Sequence, residues 1–215
     1  MKELIIIGAS GFGKEVAWLV ERINEITPVW NILGYLDDNS DIQGNVINGY
    51  EVIGSIRDIE KYGDVYLACA VGASNTRAKV VKKIKSINSK VKFATLIDPS
   101  FEMSDTVEIG EGTIICAHNL ATVNVSIGKF AVINVGCIIG HNAVIEDYVT
   151  LCPSINVSGN VVCEKYVEIG VGTQILPGKT IGEGTIVGAG AVVNKDLPAN
   201  CTAVGIPAKP IKFHD

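Results

Sequence analysis

The sequence has few aromatic side chains and little charge. Phe, Trp and Tyr make up 6% of the 215 residues and charged residues 19%, whereas apolar residues reach 47%. A disordered chain would be rich in charge and poor in aliphatic residues, so this composition predicts a folded protein built on small and branched aliphatic side chains. The 23 glycines follow no collagen-like period. They indicate many tight corners in place of a few long helices.

Several classes of protein are disfavoured by what is missing. No run approaches the roughly 20 apolar residues that span a bilayer, and the apolar run at residues 4–7 is too short for the core of a signal peptide. A net charge of -5 removes the general attraction to nucleic acid and to anionic membranes. We therefore expect a cytoplasmic protein without a nucleic-acid or membrane partner.

The cysteines show no pattern of a metal or disulfide site. None belongs to a CxxC pair and none has a neighbouring ligand histidine, so we expect neither a metal nor a disulfide framework. We interpret them as small buried apolar residues. They are Cys69, Cys116, Cys137, Cys152, Cys163 and Cys201.

Residues 1–97 predict a parallel α/β sheet. An apolar strand at Leu4–Ile7 turns through glycines into a segment with helical spacing, and further strands are predicted at Ile32–Leu36, Val65–Val71 and Val91–Ile97. Strands that alternate with helices imply right-handed crossovers, with ligands bound at the carboxyl ends of the strands.

The residues after these strands predict a nucleotide site. Glycines let the backbone approach a ligand, amide groups at a helix start attract a diphosphate, and aspartates accept hydrogen bonds from ribose or base. The candidate substrate-binding residues are Ser10, Gly11, Phe12, Gly13, Asp37, Asp38, Gly72, Asn75 and Arg77. A nicotinamide dehydrogenase is the rival interpretation. The first half has room for only half of a dinucleotide fold, and its spacing, Gly8-x-x-Gly11-x-Gly13, differs from GxGxxG, which favours a mononucleotide.

A period of six residues holds without interruption from residue 109 to residue 193. All fifteen register positions, from Ile109 to Val193, are apolar, which at a background of 47% has a chance of about one in 100,000. The pattern predicts a hexapeptide-repeat solenoid in which three six-residue pieces close one triangular coil. The long flat faces of such a solenoid must be covered, so we expect an oligomer.

The two halves together resemble a known family. The short GASGFG domain is followed by the six-residue repeat and by the terminal VGIPAK at residues 204–209. This combination resembles the bacterial sugar acetyltransferases of the left-handed β-helix superfamily, which include sialic acid O-acetyltransferases and nucleotide-linked amino-sugar N-acetyltransferases. The resemblance implies a Rossmann-like sugar-nucleotide-binding domain at 1–97 and an all-β left-handed parallel β-helix at 98–215. It also implies acetyl-CoA as co-substrate and a homotrimer with active sites at the subunit interfaces.

His141 is the candidate general base. It is third in its hexapeptide, beside a corner, where a side chain points outward, and an imidazole with a pKa of about 6.5 can take a proton from an attacking amine or hydroxyl. Related enzymes use a histidine at this place. No serine or cysteine nucleophile with a partner base is apparent, so direct transfer is favoured over an acyl-enzyme. Relatives often carry a carboxylate next to this histidine; here Asn142 can orient the ring but adds no charge.

The resemblance also implies the positions of further contacts. Asn134 is expected to bind the sugar. The residues expected to contact acetyl-CoA are Thr150, where several relatives have a second histidine, Gly159, Val171, Ala189 and Lys209.

The leading hypothesis is an acyltransferase, an acetyl-CoA-dependent N-acetyltransferase of a nucleotide-linked amino sugar in surface-glycan synthesis. The alternatives are an O-acetyltransferase of sialic acid or a similar sugar, and a non-catalytic homologue that binds sugar nucleotides. The motifs leave the nucleotide, the sugar and the acyl group open.

Overall fold

The N-terminal half is a six-stranded sheet with helices on both faces. In the computed structural model, which describes residues 1–214, the sheet has the order β3-β4-β2-β1-β5-β6 and is parallel except for the β3–β4 hairpin. The elements are β1 (Lys2–Ile7), α1 (Gly11–Ile26), β2 (Trp30–Leu36), a 3₁₀ helix (Ser40–Ile42), β3 (Val46–Ile47), β4 (Tyr50–Gly54), a second 3₁₀ helix (Ile56–Lys61), β5 (Tyr66–Cys69), α2 (Ser74–Ile87) and β6 (Lys92–Phe93). No helix within residues 1–214 is long and apolar enough to cross a membrane.

The apolar run of β1 fixes the layers of this domain. Leu4 and Ile6 pack in the layer of α1, whereas Ile5 and Ile7 pack in the layer of α2 on the opposite face. Because side chains of a strand alternate between faces, a continuous apolar strand is buried on both sides. β1 lies between β2 and β5, so the winding reverses there and a crevice opens at the carboxyl ends of these strands.

The fourth predicted strand, Val91–Ile97, is wrong as a single element. Lys92–Phe93 pairs with β5, whereas Leu96–Ile97 pairs with Ile114–Ile115 in the solenoid. The chain passes from one sheet to another between these two short strands. The pattern of residues 91–97 does not reveal this change. The β3–β4 hairpin was not predicted either. The domain boundary at residue 97 stays a prediction.

From Leu96 the chain winds into a solenoid with three flat faces, built of parallel two-residue strands up to Val193. The first face contains Leu96–Ile97, Ile114–Ile115, Val132–Ile133, Thr150–Leu151, Glu168–Ile169, Ile186–Val187, Cys201–Val204 and the antiparallel Lys209–Phe213. The second face contains Glu102–Met103, Leu120–Ala121, Ile138–Ile139, Asn156–Val157, Gln174–Ile175 and Val192–Val193. The third face contains Glu108–Ile109, Ser126–Ile127, Val144–Ile145, Val162–Cys163 and Thr180–Ile181.

The six-residue period fills the interior of this solenoid. Register residues such as Ile133, Ile139 and Ile145 are buried and belong to one continuous apolar cluster. Residues 18 apart in the sequence pair directly, as Ile139 does with Val157. Each coil therefore repeats the last, and equivalent corner residues stack in columns along the solenoid.

A buried arginine joins the two halves. The guanidinium of Arg77, on α2, donates hydrogen bonds to the carbonyl oxygens of Phe130 at 2.8 Å and Tyr148 at 2.9 Å, both in the solenoid. It also donates to Thr150 Oγ1 at 2.9 Å and to the carbonyl oxygen of Gly72 at 2.6 Å. Arg77 is 1% exposed. Burial lowers its pKa to about 10, so the guanidinium keeps its charge at neutral pH and forms strong hydrogen bonds.

Two carboxylates add further links between the halves. Glu168 of the solenoid accepts hydrogen bonds from the backbone amide of Ser74 at 2.6 Å and from its hydroxyl at 2.7 Å. Asp98, almost completely buried, forms an ion pair with Arg22 of α1 at 2.6 Å. The solenoid is thus attached to helices on both faces of the sheet, which fixes the orientation of the N-terminal half.

We expect Arg77→Met to lower the free energy of unfolding by about 3 kcal/mol or more, because several buried carbonyl oxygens would lose a charged donor. Urea unfolding monitored by circular dichroism measures this. Lys79→Met is the matched control, because Lys79 is exposed on the same helix and surface changes usually stay within about 0.5 kcal/mol. Equal losses in the two variants would contradict the role of Arg77 as a clamp.

Candidate active site

A cleft of about 210 Å³ opens where the sequence predicted the nucleotide site. Gly8, Asp37 and Asp38, at the carboxyl ends of β1 and β2, are among its lining residues. Gly8 has a φ of +98°, and a Cβ atom there would lie 3.2 Å from the carbonyl oxygen of Ala70. Only glycine fits this turn without strain.

The start of α1 is open to an anion. Ser10 precedes the helix without a side-chain hydrogen bond to it, and the first turn carries no acidic residue. A side chain at Gly11 would meet no atom within 4 Å. The amide groups of such a helix end can receive a phosphate.

Two of the predicted residues in this turn have packing roles. A Cβ atom at Gly13 would collide with the carbonyl oxygen of Gly8, so Gly13 is required for the close approach of helix and strand. Phe12 is half-buried against the α1 layer. We therefore assign Gly13 to packing, and only the first residues of the turn remain open to a ligand.

The two aspartates hold the loops around the cleft. Asp37 accepts a hydrogen bond from the amide of Ala9 at 2.8 Å. Asp38 accepts one from the amide of Ile56 at 3.0 Å and forms an ion pair with Lys83 at 2.6 Å. Burial alone would raise the pKa of Asp38, but the contacts with Lys83 and Ile56 outweigh it and hold this pKa below its ordinary value. Asp38 is thus an ionised acceptor at neutral pH.

The third predicted loop docks on the solenoid and not around the cleft. The carbonyl oxygen of Gly72 accepts a hydrogen bond from Thr150 Oγ1 at 2.7 Å, and the exposed Asn75 lies in a separate groove beside Tyr148. Arg77 was predicted to contact the substrate; its guanidinium is buried and bonded to backbone oxygens. Thr150 was predicted to line an acetyl-CoA groove; its side chain is buried in the contact with Arg77.

A second cavity, of about 260 Å³, lies between α1 and one corner of the solenoid. Its walls include Glu15, Trp18, Asn134, Val135 and Pro153. The predicted sugar contact, Asn134, is therefore in a cavity. Since a helix rises 1.5 Å per residue, Glu15 lies about 6 Å along α1 from Gly11. A group attached to a phosphate at the helix start would reach this cavity.

His141 lies on the opposite edge of the second face, in the corner after Ile138–Ile139. Its imidazole lies over Gly159, one coil later, and any side chain at Gly159 would collide with the Cε1 and Nε2 atoms of the ring. The Nδ1 atom lies 3.1 Å from Asn142 Nδ2. The ring is exposed and held from two sides. Gly159, predicted to contact acetyl-CoA, thus provides the seat of the histidine.

The remaining predicted acetyl-CoA residues lie away from His141 within one chain. Val171 and Ala189 are exposed and one coil apart, on the corner that also carries Asn134. The second face separates this corner from that of His141. Lys209 is exposed in the last strand, Lys209–Phe213.

Four residues near these sites were missed. Glu15 and Trp18 lie on one face of α1, a spacing of three that is visible in the sequence. Asn124 and Asn160 lie 18 residues before and after Asn142 and contact it. A search of the sequence for residues 18 apart, in addition to those six apart, would have found the two asparagines.

The cysteines are buried thiols, as predicted, except that Cys152 is half-buried. Burial raises the pKa of Cys69 and of Cys163 to about 12, so neither forms the thiolate that a nucleophile requires at neutral pH. Within residues 1–214, no cluster of three His, Cys, Asp or Glu side chains is arranged to hold a metal ion.

A parallel-sheet cleft beside a hexapeptide solenoid with an exposed corner histidine is the arrangement of an acyltransferase of the hexapeptide-repeat class. The chain is 32% identical over 214 residues to the GDP-perosamine N-acetyltransferase of Escherichia coli O157:H7, an alignment that covers 96% of this chain and 95% of that enzyme. It therefore belongs to the sugar acetyltransferases of the hexapeptide-repeat family. Residues 3–84 also match the PglD N-terminal domain family.

Solved structures of similar enzymes share the fold of this chain over nearly its whole length. Perosamine N-acetyltransferase from Caulobacter crescentus, in complex with CoA and GDP-perosamine, has a TM-score of 0.88 and 29% identity, and covers 99% of this chain and 98% of its own. Structures of that enzyme with a histidine replaced by asparagine or by alanine have TM-scores of 0.89. The acetyltransferase domain of PglB from Neisseria gonorrhoeae, in complex with acetyl coenzyme A, has a TM-score of 0.88 and 29% identity over 98% of this chain and 99% of its own. The predicted fold class, a Rossmann-like domain followed by a left-handed parallel β-helix, is confirmed.

We expect Gly159→Ala to move the His141 ring from its seat, because the new methyl group would occupy the place of its Nε2 edge. The ring signals of His141 in a two-dimensional NMR spectrum would shift. Those of His118 and His214 would stay and act as internal controls. Unchanged signals from His141 would contradict the contact between its ring and Gly159.

Proposed function

We propose that the protein is an acetyl-CoA-dependent N-acetyltransferase of a nucleotide-linked amino sugar, with His141 as general base. The observation that carries the proposal is the seat of His141, an exposed imidazole fixed by Gly159 and Asn142. Full-length similarity to enzymes named for GDP-perosamine supports the substrate class.

The sugar nucleotide spans the two cavities of the N-terminal half. The nucleoside occupies the cleft of Gly8, Asp37 and Asp38, where carboxylate oxygens accept hydrogen bonds from ribose or base. The diphosphate lies at the open start of α1. The amino sugar then lies between α1 and the solenoid, beside Asn134.

The functional unit is a homotrimer in which the His141 corner of one copy meets the Asn134 corner of the next. Within one chain the second face separates these corners, so the site is incomplete without a partner. Apolar side chains are exposed along this face and its two edges, and such patches mark contact surfaces. They are Val123, Val135, Ile138, Val171 and Leu176. Acetyl-CoA lies in the groove between copies, along Val171 and Ala189.

The chemistry is direct transfer. The neutral sugar amine attacks the thioester carbonyl carbon, the carbon–sulfur bond breaks, and CoA leaves as a thiolate. His141 takes the proton that the amine loses and returns it to sulfur, so the products are an amide and the CoA thiol. The high pKa of the buried thiols supports a route without an acyl-enzyme.

We expect Gly11→Asp to weaken binding of a nucleoside diphosphate by about tenfold to 100-fold, because a carboxylate at the start of α1 repels phosphate. Calorimetric titration with UDP, GDP and dTDP measures this. Gly72→Asp is the matched control: Gly72 lies two residues before α2 and, like Gly11, would place a Cβ atom in open space, but it lies on the docked loop. The reverse order of affinities would move the diphosphate to α2 and contradict the proposed placement.

We expect His141→Ala to lower kcat by about two to four orders of magnitude, because no other base takes the proton of the amine. Release of the CoA thiol, followed across a panel of amino-sugar nucleotides, measures this, with His118→Ala as the control for loss of an exposed histidine. Unchanged turnover in His141→Ala would remove the base from the mechanism. Thiol release with sialic acid alone would identify an O-acetyltransferase, and binding without thiol release on any acceptor would indicate a non-catalytic homologue.

A further inference from the structure

Three asparagines form a hydrogen-bonded column beside His141. Asn124, Asn142 and Asn160 occupy one corner of successive coils, with φ values of 56°, 57° and 59°. Asn124 Nδ2 donates to Asn142 Oδ1 at 3.2 Å, and Asn142 Nδ2 donates to Asn160 Oδ1 at 3.3 Å. Asparagine tolerates this left-handed conformation better than most residues. We call the three residues the asparagine ladder.

The ladder ends on the imidazole. Asn142 Nδ2, which donates to Asn160, is also the atom that lies 3.1 Å from His141 Nδ1. An amide nitrogen donates and does not accept, so Nδ1 is the acceptor and the neutral ring carries its proton on Nε2. In this tautomer Nε2 has no lone pair for the proton of a substrate amine. An amide in place of a carboxylate beside a catalytic histidine holds the wrong tautomer in the same way.

A second arrangement of the ladder would have the same number of hydrogen bonds, each in the reverse direction. If each amide turns by 180°, donors and acceptors exchange along the whole column. Asn142 Oδ1 then accepts from Asn160 Nδ2 and from a proton on His141 Nδ1, and Asn142 Nδ2 donates to Asn124 Oδ1. Nε2 becomes the free base.

We propose that the direction of the asparagine ladder determines which ring nitrogen of His141 is basic, and that transfer uses the reversed direction. This deepens the proposed function and rests on it, since it assumes that His141 takes a proton. Asn124 and Asn160 are then positioning residues that act through Asn142. A carboxylate only accepts and would hold one tautomer, whereas an amide permits both.

The test is the ring ¹⁵N NMR spectrum of His141, recorded at a pH where the ring is neutral and assigned with His141→Gln. Protonated and unprotonated ring nitrogens have distinct shifts, so the spectrum reports the tautomer without any substrate. In the free wild-type protein we expect the proton on Nε2. Asn142→Asp should transfer it to Nδ1, because the new carboxylate accepts only.

Asparagine-to-glycine variants remove an amide while keeping the left-handed corner. Asn142→Gly should give His141 the tautomer mixture of the exposed His118. Asn124→Gly and Asn160→Gly should shift His141 part of the way toward that mixture. Asn200→Gly is the matched control, since Asn200 has a φ of 54° on another corner, and it should leave the His141 spectrum unchanged.

Two results would overturn the proposal. One is a proton that stays on Nε2 in Asn142→Asp. The other is a wild-type tautomer population in both Asn124→Gly and Asn160→Gly, which would limit the effect to Asn142. In turnover assays we expect kcat of Asn142→Asp to exceed that of Asn142→Gly by about tenfold. If none of the acceptors leads to release of CoA thiol but the NMR spectra are as expected, the proposed function is wrong, whereas the control of the His141 tautomer by the ladder is supported.

Discussion

The stacking of residues 18 apart controls the chemistry of the solenoid. Parallel strands lie about 4.8 Å apart, so a side chain on one corner contacts its equivalent on the next coil. The imidazole of His141 therefore lies over position 159, where only glycine leaves room. The same spacing stacks the rings of Phe130 and Tyr148 at 5.2 Å and aligns the asparagine ladder. A slip of one residue in the repeat would separate the histidine from its seat.

A second constraint acts between the halves. Arg77 binds backbone carbonyl oxygens at the solenoid corners. It reaches several of them because its guanidinium has five donors in a fixed fork. In the same contact, the carboxylate of Glu168 accepts a hydrogen bond from the backbone amide of Ser74 at the start of α2. The start of α1 has no such partner. One helix end is thus used for docking, and the other is left for an anion.

The six-residue period predicted the solenoid, its interior and the corner of His141, because one register of apolar residues decides all three. The sequence also placed Gly8 and Asp38 at the carboxyl ends of strands, where they line the cleft, and their contact with a nucleotide stays a prediction. The sequence predicted Arg77 at the cleft, whereas its guanidinium lies in the contact with the solenoid. A loop beside a cleft and a loop docked on a solenoid have the same composition. Only the tertiary contact separates them. The hairpin β3–β4 was missed because β3 has only two residues, although its turn, Asn48–Gly49, has the positive φ angles and the Asn-Gly sequence of a two-residue hairpin turn.

In the proposed complex one sugar nucleotide spans the cleft and the cavity beside α1 and presents its amine to His141 of a neighbouring copy. A crystal structure of the protein with CoA and an amino-sugar nucleotide tests it most directly, through the distance from the amine nitrogen to His141 Nε2. We expect this distance to be about 3 to 3.5 Å, with the diphosphate at the start of α1. A nucleotide bound elsewhere, or an amine beyond the reach of every His141 in the assembly, would contradict it.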